Sequence, residues 1–94
     1  MKSYEILYII DATTSDEKRE EIISKVKALV EGNGGTAQEP EKWGVRKFAY
    51  PINYKTEGYY VLMNFEAPET VPHTLESQLL ILDGVVRQMI VAKN

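Results

Sequence analysis

Residues 42–52 read Lys-Trp-Gly-Val-Arg-Lys-Phe-Ala-Tyr-Pro-Ile, and this stretch predicts a strand that is both basic and aromatic. It holds the only tryptophan of the chain and an adjacent Arg-Lys pair. From Lys42 through Thr56 there are four basic residues and no acidic one, although the whole chain carries a formal charge of −3. Charge of one sign gathered on one strand and its turn focuses the electrostatic potential there, whatever the overall balance.

The side chains of this strand alternate between two faces, because successive residues of a strand point to opposite sides. Arg46, Phe48 and Tyr50 are predicted to share one face. A basic residue interleaved with aromatic ones suits contact with phosphates and packing against bases or riboses. An edge strand kept soluble by Arg and Lys fits the same residues. Pro40 and Gly44 favour a bent edge strand, since Pro cannot donate to a strand ladder and Gly indicates a bulge.

Six segments of regular pattern follow one another along the chain. Apolar, β-branched and aromatic residues predict four strands, over residues 4–10, from about 36 to 50, 59–66 and 85–92. Apolar residues at helical spacing predict two helices between them. The first strand is apolar on both faces, which predicts a central place in the sheet.

The two helices have recognisable ends and inner faces. Thr14-Ser15-Asp16-Glu17 has the form of a capping box with Thr14 as N-cap, and the glycine-rich run 32–35 ends the first helix. The second helix is predicted to begin at Thr70 or Val71 and to close at Asp83-Gly84. The side chains predicted to face the core are Ile22, Val26, Leu29 and Val30 on the first helix and Leu75, Leu79 and Leu82 on the second.

The order of these elements is βαββαβ, which predicts a ferredoxin-like α+β fold. In that fold a four-stranded antiparallel sheet carries two helices on one face and leaves its other face open. The chain of 94 residues is predicted to be a single domain, residues 1–94. The fold does not decide the function, because this arrangement serves many unrelated ones.

The residue types that enzymes use are scarce. The chain has no cysteine and one histidine, His73, so it offers no thiolate ligand and no second histidine for a metal site or a nucleophile–base pair. The run of glycines at 32–35 follows a helix and is a C-cap rather than a phosphate cradle. These features predict a protein that is not an enzyme and has no metal, no cofactor and no small-molecule substrate. No segment is apolar for long enough to predict a membrane partner.

The third predicted strand has a weak resemblance to the aromatic strand of an RNA recognition motif. The segment runs Gly58-Tyr59-Tyr60-Val61-Leu62-Met63-Asn64-Phe65, with Tyr60 where that motif has a small residue. Alternation along the strand favours core packing for Tyr59, Val61, Met63 and Phe65.

A more specific resemblance rests on residues 43–52, Trp-Gly-Val-Arg-Lys-Phe-Ala-Tyr-Pro-Ile. They closely resemble the Gly-x-Arg-basic-apolar-Ala-Tyr-Pro-Ile segment of the bacterial small-subunit ribosomal protein six family. The similarity extends to Tyr4-Glu5, to Gly58-Tyr59-Tyr60 and to Asp83 through Arg87, and so covers essentially the whole chain. It implies a structural component of the cytoplasmic ribosome. Members bind the central domain of small-subunit ribosomal RNA together with small-subunit ribosomal protein eighteen, as a cooperative pair.

The resemblance also implies which side chains contact RNA. The basic positions that carry over are Lys2, Arg46, Lys47 and Arg87. The aromatic residues Tyr4, Trp43 and Tyr50 are their packing or stacking neighbours, with Tyr4 and Trp43 included among the expected RNA contacts. The chain departs from the family at Leu80-Ile81-Leu82, where an Arg-rich helix end is common; these residues serve either a protein contact or the core. The alternative function is a protein-interaction or ligand-sensing module that dimerises through its sheet.

Overall fold

The computed structural model describes residues 2–52, 55–82 and 84–93, with the backbone alone described for 49–52 and 55. The predicted face of Tyr50 and the part of Asp83 in closing the second helix lie outside these residues. The elements, in chain order, are β1 (Lys2–Asp11), α1 (Asp16–Gly32), β2 (Thr36–Ala37), β3 (Glu41–Ile52), β4 (Lys55–Ala67), α2 (Val71–Leu80) and β5 (Val85–Lys93).

One antiparallel sheet contains all the strands. β1 lies between β4 and β5, which confirms its predicted central place, and the two strands β2 and β3 both pair with the other side of β4. The predicted second strand is thus divided in two around Pro40, while the Gln38 amide still donates to the Asn64 carbonyl at 2.9 Å. Trp43 is the extra residue of a bulge, because Lys42 and Gly44 oppose consecutive residues of β4. Gly44 has a φ of +87°, a conformation that a residue without a Cβ adopts at low cost.

Both helices cover the same face of the sheet, and the core lies between them and the sheet. On that face alternate residues of β1 oppose alternate residues of β4 in the pairs Tyr4–Phe65, Ile6–Met63, Tyr8–Val61 and Ile10–Tyr59. The helices contribute Ile22, Ile23, Val26 and Val30 from α1 and Val71, Leu75 and Leu79 from α2. Each fully buried aliphatic side chain stabilises the fold by about 1.5–3 kcal/mol. The fold class predicted from the sequence is confirmed.

The N-cap of α1 is Ser15, so the prediction of Thr14 was wrong by one residue. The Ser15 hydroxyl oxygen accepts a hydrogen bond from the Lys18 amide at 3.3 Å. Asp11 organises the residues that precede α1. Its carboxylate accepts a hydrogen bond from the Thr13 amide at 3.0 Å, and its carbonyl accepts one from the Thr14 amide at 3.0 Å. This local turn holds Thr14 outside the helix and leaves the capping position to Ser15.

Two further boundaries differ from the sequence prediction. β4 begins at Lys55, four residues before the strand predicted over residues 59–66, and Glu57 and Gly58 pair with β3. α2 ends at Leu80, and Leu82 lies beyond the helix but still packs against the core. Leu80 and Ile81 are 74% and 79% exposed, so neither of them deepens the core. Neither helix in the described part of the chain is long and apolar enough to cross a membrane.

Candidate nucleic-acid and protein interface

One half of the open sheet face, which faces away from the helices, is apolar. Strand pairing sets Arg87, Ile9, Tyr60 and Gly44 side by side in one row across β5, β1, β4 and β3, and Met89, Leu7, Leu62 and Glu41 in the next row. With about 4.8 Å between neighbouring strands, each row is roughly 14 Å wide. We call the apolar and aromatic residues of these two rows, with Trp43, the open-face patch. Arg87 lies at its β5 end and Arg46 at its β3 end, where Glu41 adds one carboxylate.

The other half of the same face is polar. The rows there are Val91, Glu5 and Asn64, and then Lys93, Ser3 and Glu66. The Lys93 ammonium donates to the Asn64 side-chain oxygen at 2.9 Å, and the Ser3 hydroxyl donates to the Glu66 carboxylate at 3.5 Å. Four of these residues thus bind one another across the strands, and Val91 is the apolar residue of this half. Most of the apolar surface of the face lies in the other half.

The bulge in β3 turns Trp43 onto this face, where it joins an aromatic cluster. The Trp43 ring is stacked on Tyr60, with 6.4 Å between ring centroids and 4° between ring planes. The Phe48 ring lies 6.2 Å from the same Tyr60 ring. The Arg46 guanidinium carbon lies 5.4 Å from the Trp43 ring centroid, a cation–π geometry. Trp43 remains 42% exposed, so this cluster presents a flat aromatic surface beside a cation.

Gly58 allows the aromatic cluster to close over the sheet. A Cβ built at Gly58 would overlap the Ile9 Cγ2 methyl and lie 3.0 Å from Phe48 Cζ. Because Gly58 opposes Arg46 across the strand pair, the missing side chain makes room beneath the Phe48 ring. Close packing of Phe48 on the sheet therefore needs glycine at this position.

Arg46 and Lys47 point to opposite sides of β3, as the alternation of the sequence predicts. Arg46 opposes Gly58 in the row next to the open-face patch, whereas Lys47 opposes Glu57 on the other side. Both side chains are exposed. In the described residues β3 pairs with β4 alone, so it is an edge strand, and long side chains from both of its faces can reach around that edge.

Arg87 lies at the opposite end of the open-face patch, on β5. Its exposed side chain lines a shallow groove of about 250 Å³ together with Leu7, Ile9, Tyr60 and Met89. Pairing of Ile9 with both Arg87 and Tyr60 fixes the row that spans the sheet. The structure therefore brings Trp43, Arg46 and Arg87 to one face, although they lie on two different edge strands.

The two remaining predicted residues lie elsewhere. Lys2 forms an ion pair with Glu69 at 3.1 Å, and the hydrogen bond in that pair raises the pKa of Lys2 above its ordinary value. Tyr4 is 7% exposed and its ring is stacked on Phe65 at 5.5 Å. A side chain buried in the core has no surface to offer to a base, so Tyr4 is removed from the candidate interface.

A separate set of contacts connects β3 and β4 to α1. The Lys42 ammonium donates to the Glu20 carboxylate at 2.9 Å, and that hydrogen bond raises the pKa of Lys42. The Arg19 guanidinium lies over the Tyr59 ring at 4.1 Å. Exposed ion pairs of this kind contribute little to stability, because solvent screens them. These contacts orient Lys42 toward the helix layer, away from the open-face patch.

Sequence reasoning missed several residues of the open-face patch, Leu7, Ile9, Tyr60, Leu62 and Met89. The signal was present in β4, where alternation placed Tyr60 and Leu62 on the face opposite to the core set. The assembly of the patch from β1 and β5 could not be read in the same way, because it depends on the register between strands. The register brings Met89 beside Leu7 and Arg87 beside Ile9.

This geometry is that of a small α+β module with a candidate binding surface, the sheet face that faces away from the helices. Within the described residues, no group of three or more His, Cys, Asp or Glu side chains is placed to hold a metal ion. Aromatic rings beside a guanidinium, with apolar side chains next to them, suit contact with macromolecules.

Comparison with known proteins identifies the family. The sequence model described as Ribosomal protein S6 matches residues 3–92. The small ribosomal subunit protein bS6 of Fusobacterium nucleatum is 46% identical over 94 residues, which cover 100% of both chains. The bS6 protein of Thermoanaerobacter pseudethanolicus is 45% identical over 91 residues, covering 97% of this chain and 96% of the relative. The chain therefore belongs to the ribosomal protein S6 family, as its residues 43–52 indicate.

A solved structure agrees with this assignment. The crystal structure of 30S ribosomal protein S6 from Thermotoga maritima superposes with a TM-score of 0.92 at 28% sequence identity, covering 98% of this chain and 87% of that one. Family membership makes the chain a structural, non-enzymatic protein of the small ribosomal subunit in the cytoplasm. Its neighbours are accordingly ribosomal RNA and other ribosomal proteins.

Proposed function

We propose that this chain binds the central domain of small-subunit ribosomal RNA as one half of a pair with ribosomal protein eighteen. The observation that carries the proposal is the open-face patch, which is apolar in its middle and cationic at its ends. Such a surface suits two partners at once: a protein over the apolar part and RNA along the cationic border.

The protein partner is expected on the open-face patch. Leu7 and Leu62 are half-buried apolar side chains in the middle of the sheet, and Met89 beside Leu7 is 56% exposed. Ile9 is itself buried and supports this surface from below. Burial of apolar surface stabilises a complex by about 25 cal/mol per Å² before the costs of association are subtracted. The aromatic rings of Trp43 and Tyr60 extend this surface, and aromatic side chains are common in the centres of interfaces.

The RNA contacts are expected at the borders of the patch. Arg46 and Lys47 leave the β3 edge on its two sides, and Arg87 lies at the β5 end. Lys2, which lies away from the patch and pairs with Glu69, is a further cation for phosphates. Phosphate contacts position a protein on RNA without reading its sequence. The chain has a net charge of −3, so its overall charge does not attract the negatively charged RNA. With only the local cations to bind phosphates, the isolated chain is expected to bind RNA weakly. This weakness is the reason to expect a cooperative pair.

The single tryptophan provides the experiment. Trp43 lies at the border of the open-face patch, so a partner that covers the patch should shift its fluorescence emission to shorter wavelength and protect it from acrylamide quenching. We expect both changes when purified ribosomal protein eighteen is added. The Met89→Lys variant should bind more weakly, whereas Gln78→Lys, which adds the same charge at an exposed position of α2, should bind as the natural chain does. A complex that leaves Trp43 emission and quenching unchanged would place the partner elsewhere.

The alternative function, a module that dimerises through its sheet, predicts a different result. In that case the chain alone should associate with itself at micromolar concentration, and protein eighteen should not be needed to cover Trp43. Sedimentation equilibrium of the isolated chain, with and without RNA and protein eighteen, separates the two functions.

A further inference from the structure

Four of the six exposed large apolar side chains in the described residues lie on β5 or at the end of α2, which precedes β5 in the chain. The six are Trp43, Val45, Leu80, Ile81, Met89 and Val91. Met89 and Val91 are on β5 itself and face the open side of the sheet. Leu80 and Ile81 lie at the end of α2, on the helix side, where Leu80 lines a groove of about 190 Å³ with residues 85–88 of β5. Exposed apolar surface thus flanks β5 on both sides.

β5 is also a long edge strand without the usual protection. Within the described residues it pairs with β1 alone, so one row of its amide and carbonyl groups has no strand partner. It contains no proline, and its two charged residues, Arg87 and Lys93, both point to the open face. Lys93 extends over its own sheet to Asn64 rather than toward the free edge. Natural edges of this length are commonly blocked by charge, proline or a covering segment.

We propose that an extended segment of ribosomal protein eighteen pairs with the free edge of β5 as an additional strand; this rests on the function proposed above. A strand added there would place alternate side chains beside Met89 and Val91 on one face and beside Leu80 on the other. It would satisfy the free backbone groups of β5 and cover both apolar flanks. A partner that docked on the open face alone would leave Leu80 and Ile81 in water.

The observations favour a different protein over a second copy of this chain. Two copies of β5 would bring four cations and no carboxylate to one strand pair, because β5 contains Arg87 and Lys93 and no acidic residue. Like charges on neighbouring strands are unfavourable. The segment we expect is apolar on both of its faces, because exposed apolar side chains flank β5 on both sides of the sheet.

Amide hydrogen exchange of the ¹⁵N-labelled chain, with and without purified ribosomal protein eighteen, tests the inference. In the free chain, every second amide of residues 86–92 should exchange quickly, because it points to the free edge. In the complex these amides should slow at least about tenfold, while the alternate amides, already bonded to β1, should change little. A complex that forms and leaves the fast amides fast overturns the added strand while the pairing with protein eighteen stands. Absence of any complex overturns both. Slowing that needs only a higher concentration of the chain itself would identify a second copy and also contradict the inference.

A variant on the helix side of β5 gives an independent measurement. Leu80→Lys changes a side chain that is 74% exposed and lies outside the open face, so the fold should be unaffected. We expect protein eighteen to bind this variant about fivefold more weakly or worse, the loss typical of an apolar contact in an interface. The matched control is Gln78→Lys, two residues earlier on α2, which should bind unchanged. Equal affinity of the Leu80→Lys variant and the natural chain would contradict the proposed strand.

Discussion

The cations at the β3 edge provide the most specific predictions about single residues. Arg46→Ala and Lys47→Ala should each weaken binding of RNA by the protein pair by about 1–2 kcal/mol, the contribution of a charge-assisted hydrogen bond to a phosphate. Each change should also make the slope of log affinity against log salt shallower by somewhat under one unit. Filter binding at several salt concentrations measures both quantities.

Lys25→Ala is the control for these variants, because it removes the same charge from an exposed position on α1. It should leave both the affinity and the salt slope close to those of the natural chain. Unchanged values for Arg46→Ala and Lys47→Ala would exclude the β3 edge from the RNA contact and return it to the role of a solubilising edge. A loss for Arg46→Ala alone would show that RNA approaches from the open face rather than around the edge.

Gly58 lies beneath the aromatic cluster, so a larger side chain at this position should lower the stability of the fold. Gly58→Ala places a methyl group into Ile9 and Phe48, and such overpacking costs about 1–3 kcal/mol of the free energy of unfolding. Gly32→Ala is the matched control, since a Cβ at that helical position meets nothing within 4 Å. Urea unfolding of the two variants compares them directly. Equal stability would mean that the packing of Phe48 over Gly58 is not needed for the fold.

At the level of elements, the start of α1 provides a comparison between Ser15, which caps the helix, and its neighbour Thr14, which does not. Ser15→Ala should lower the free energy of unfolding by about 1 kcal/mol, because it removes the acceptor of the Lys18 amide. Thr14→Ala should change it by less than about 0.5 kcal/mol, as surface substitutions away from such features do. Thermal unfolding of both variants measures the difference. A larger loss of stability for Thr14→Ala than for Ser15→Ala would support Thr14 as the N-cap, as predicted from the sequence.

The contact between β1 and α1 contains a buried hydroxyl that should make stability depend on alkaline pH. Tyr8 is fully buried and its hydroxyl has no hydrogen-bond partner among the described residues. Burial, with a smaller effect of Glu20, raises the pKa of Tyr8 well above the ordinary value of 10. The unfolded chain therefore releases this proton near pH 10 while the folded chain retains it. Stability should be complete below pH 10 and should fall as the pH rises above it.

Tyr8→Phe tests this expectation. Removal of an unsatisfied buried hydroxyl should leave the free energy of unfolding unchanged or raise it by up to about 1 kcal/mol at neutral pH. The variant should also lose less stability between pH 9 and pH 11 than the natural chain does. Chemical denaturation across that range provides the data, and an unaltered alkaline decline would assign the decline to other groups.

The helices and strands were predicted well from the sequence, and the residues at which they begin and end were predicted less well. Hydrophobic period and glycine position predicted both helices, the central strand and the bulge at Gly44, because these depend on local residues. The cap of α1 was misplaced by one residue, since the turn formed by Asp11 competes for Thr14. β4 begins four residues earlier than predicted, because pairing with β3 overrides the weak strand preference of residues 55–58.

The open-face patch belongs to the whole molecule and was only partly predictable. Trp43 and Arg46 were predicted from one continuous stretch, and Arg87 from a resemblance. These residues lie on one face with Leu7 and Met89 because of the order and register of the strands. Strand order cannot be predicted from the local sequence pattern. Tyr4 was assigned to the interface from the resemblance. An aromatic residue can serve stacking or core packing, and only the fold distinguishes the two roles.

The whole molecule is expected to act as one half of a pair, since its cationic border is too small for strong binding alone. Titration of the central-domain ribosomal RNA with this chain, with ribosomal protein eighteen and with both together tests that expectation most directly. We expect weak binding by the chain alone and at least about a hundredfold tighter binding by the pair, an apparent gain of about 2.7 kcal/mol. Equal affinity of the chain for RNA with and without protein eighteen would contradict the proposed function.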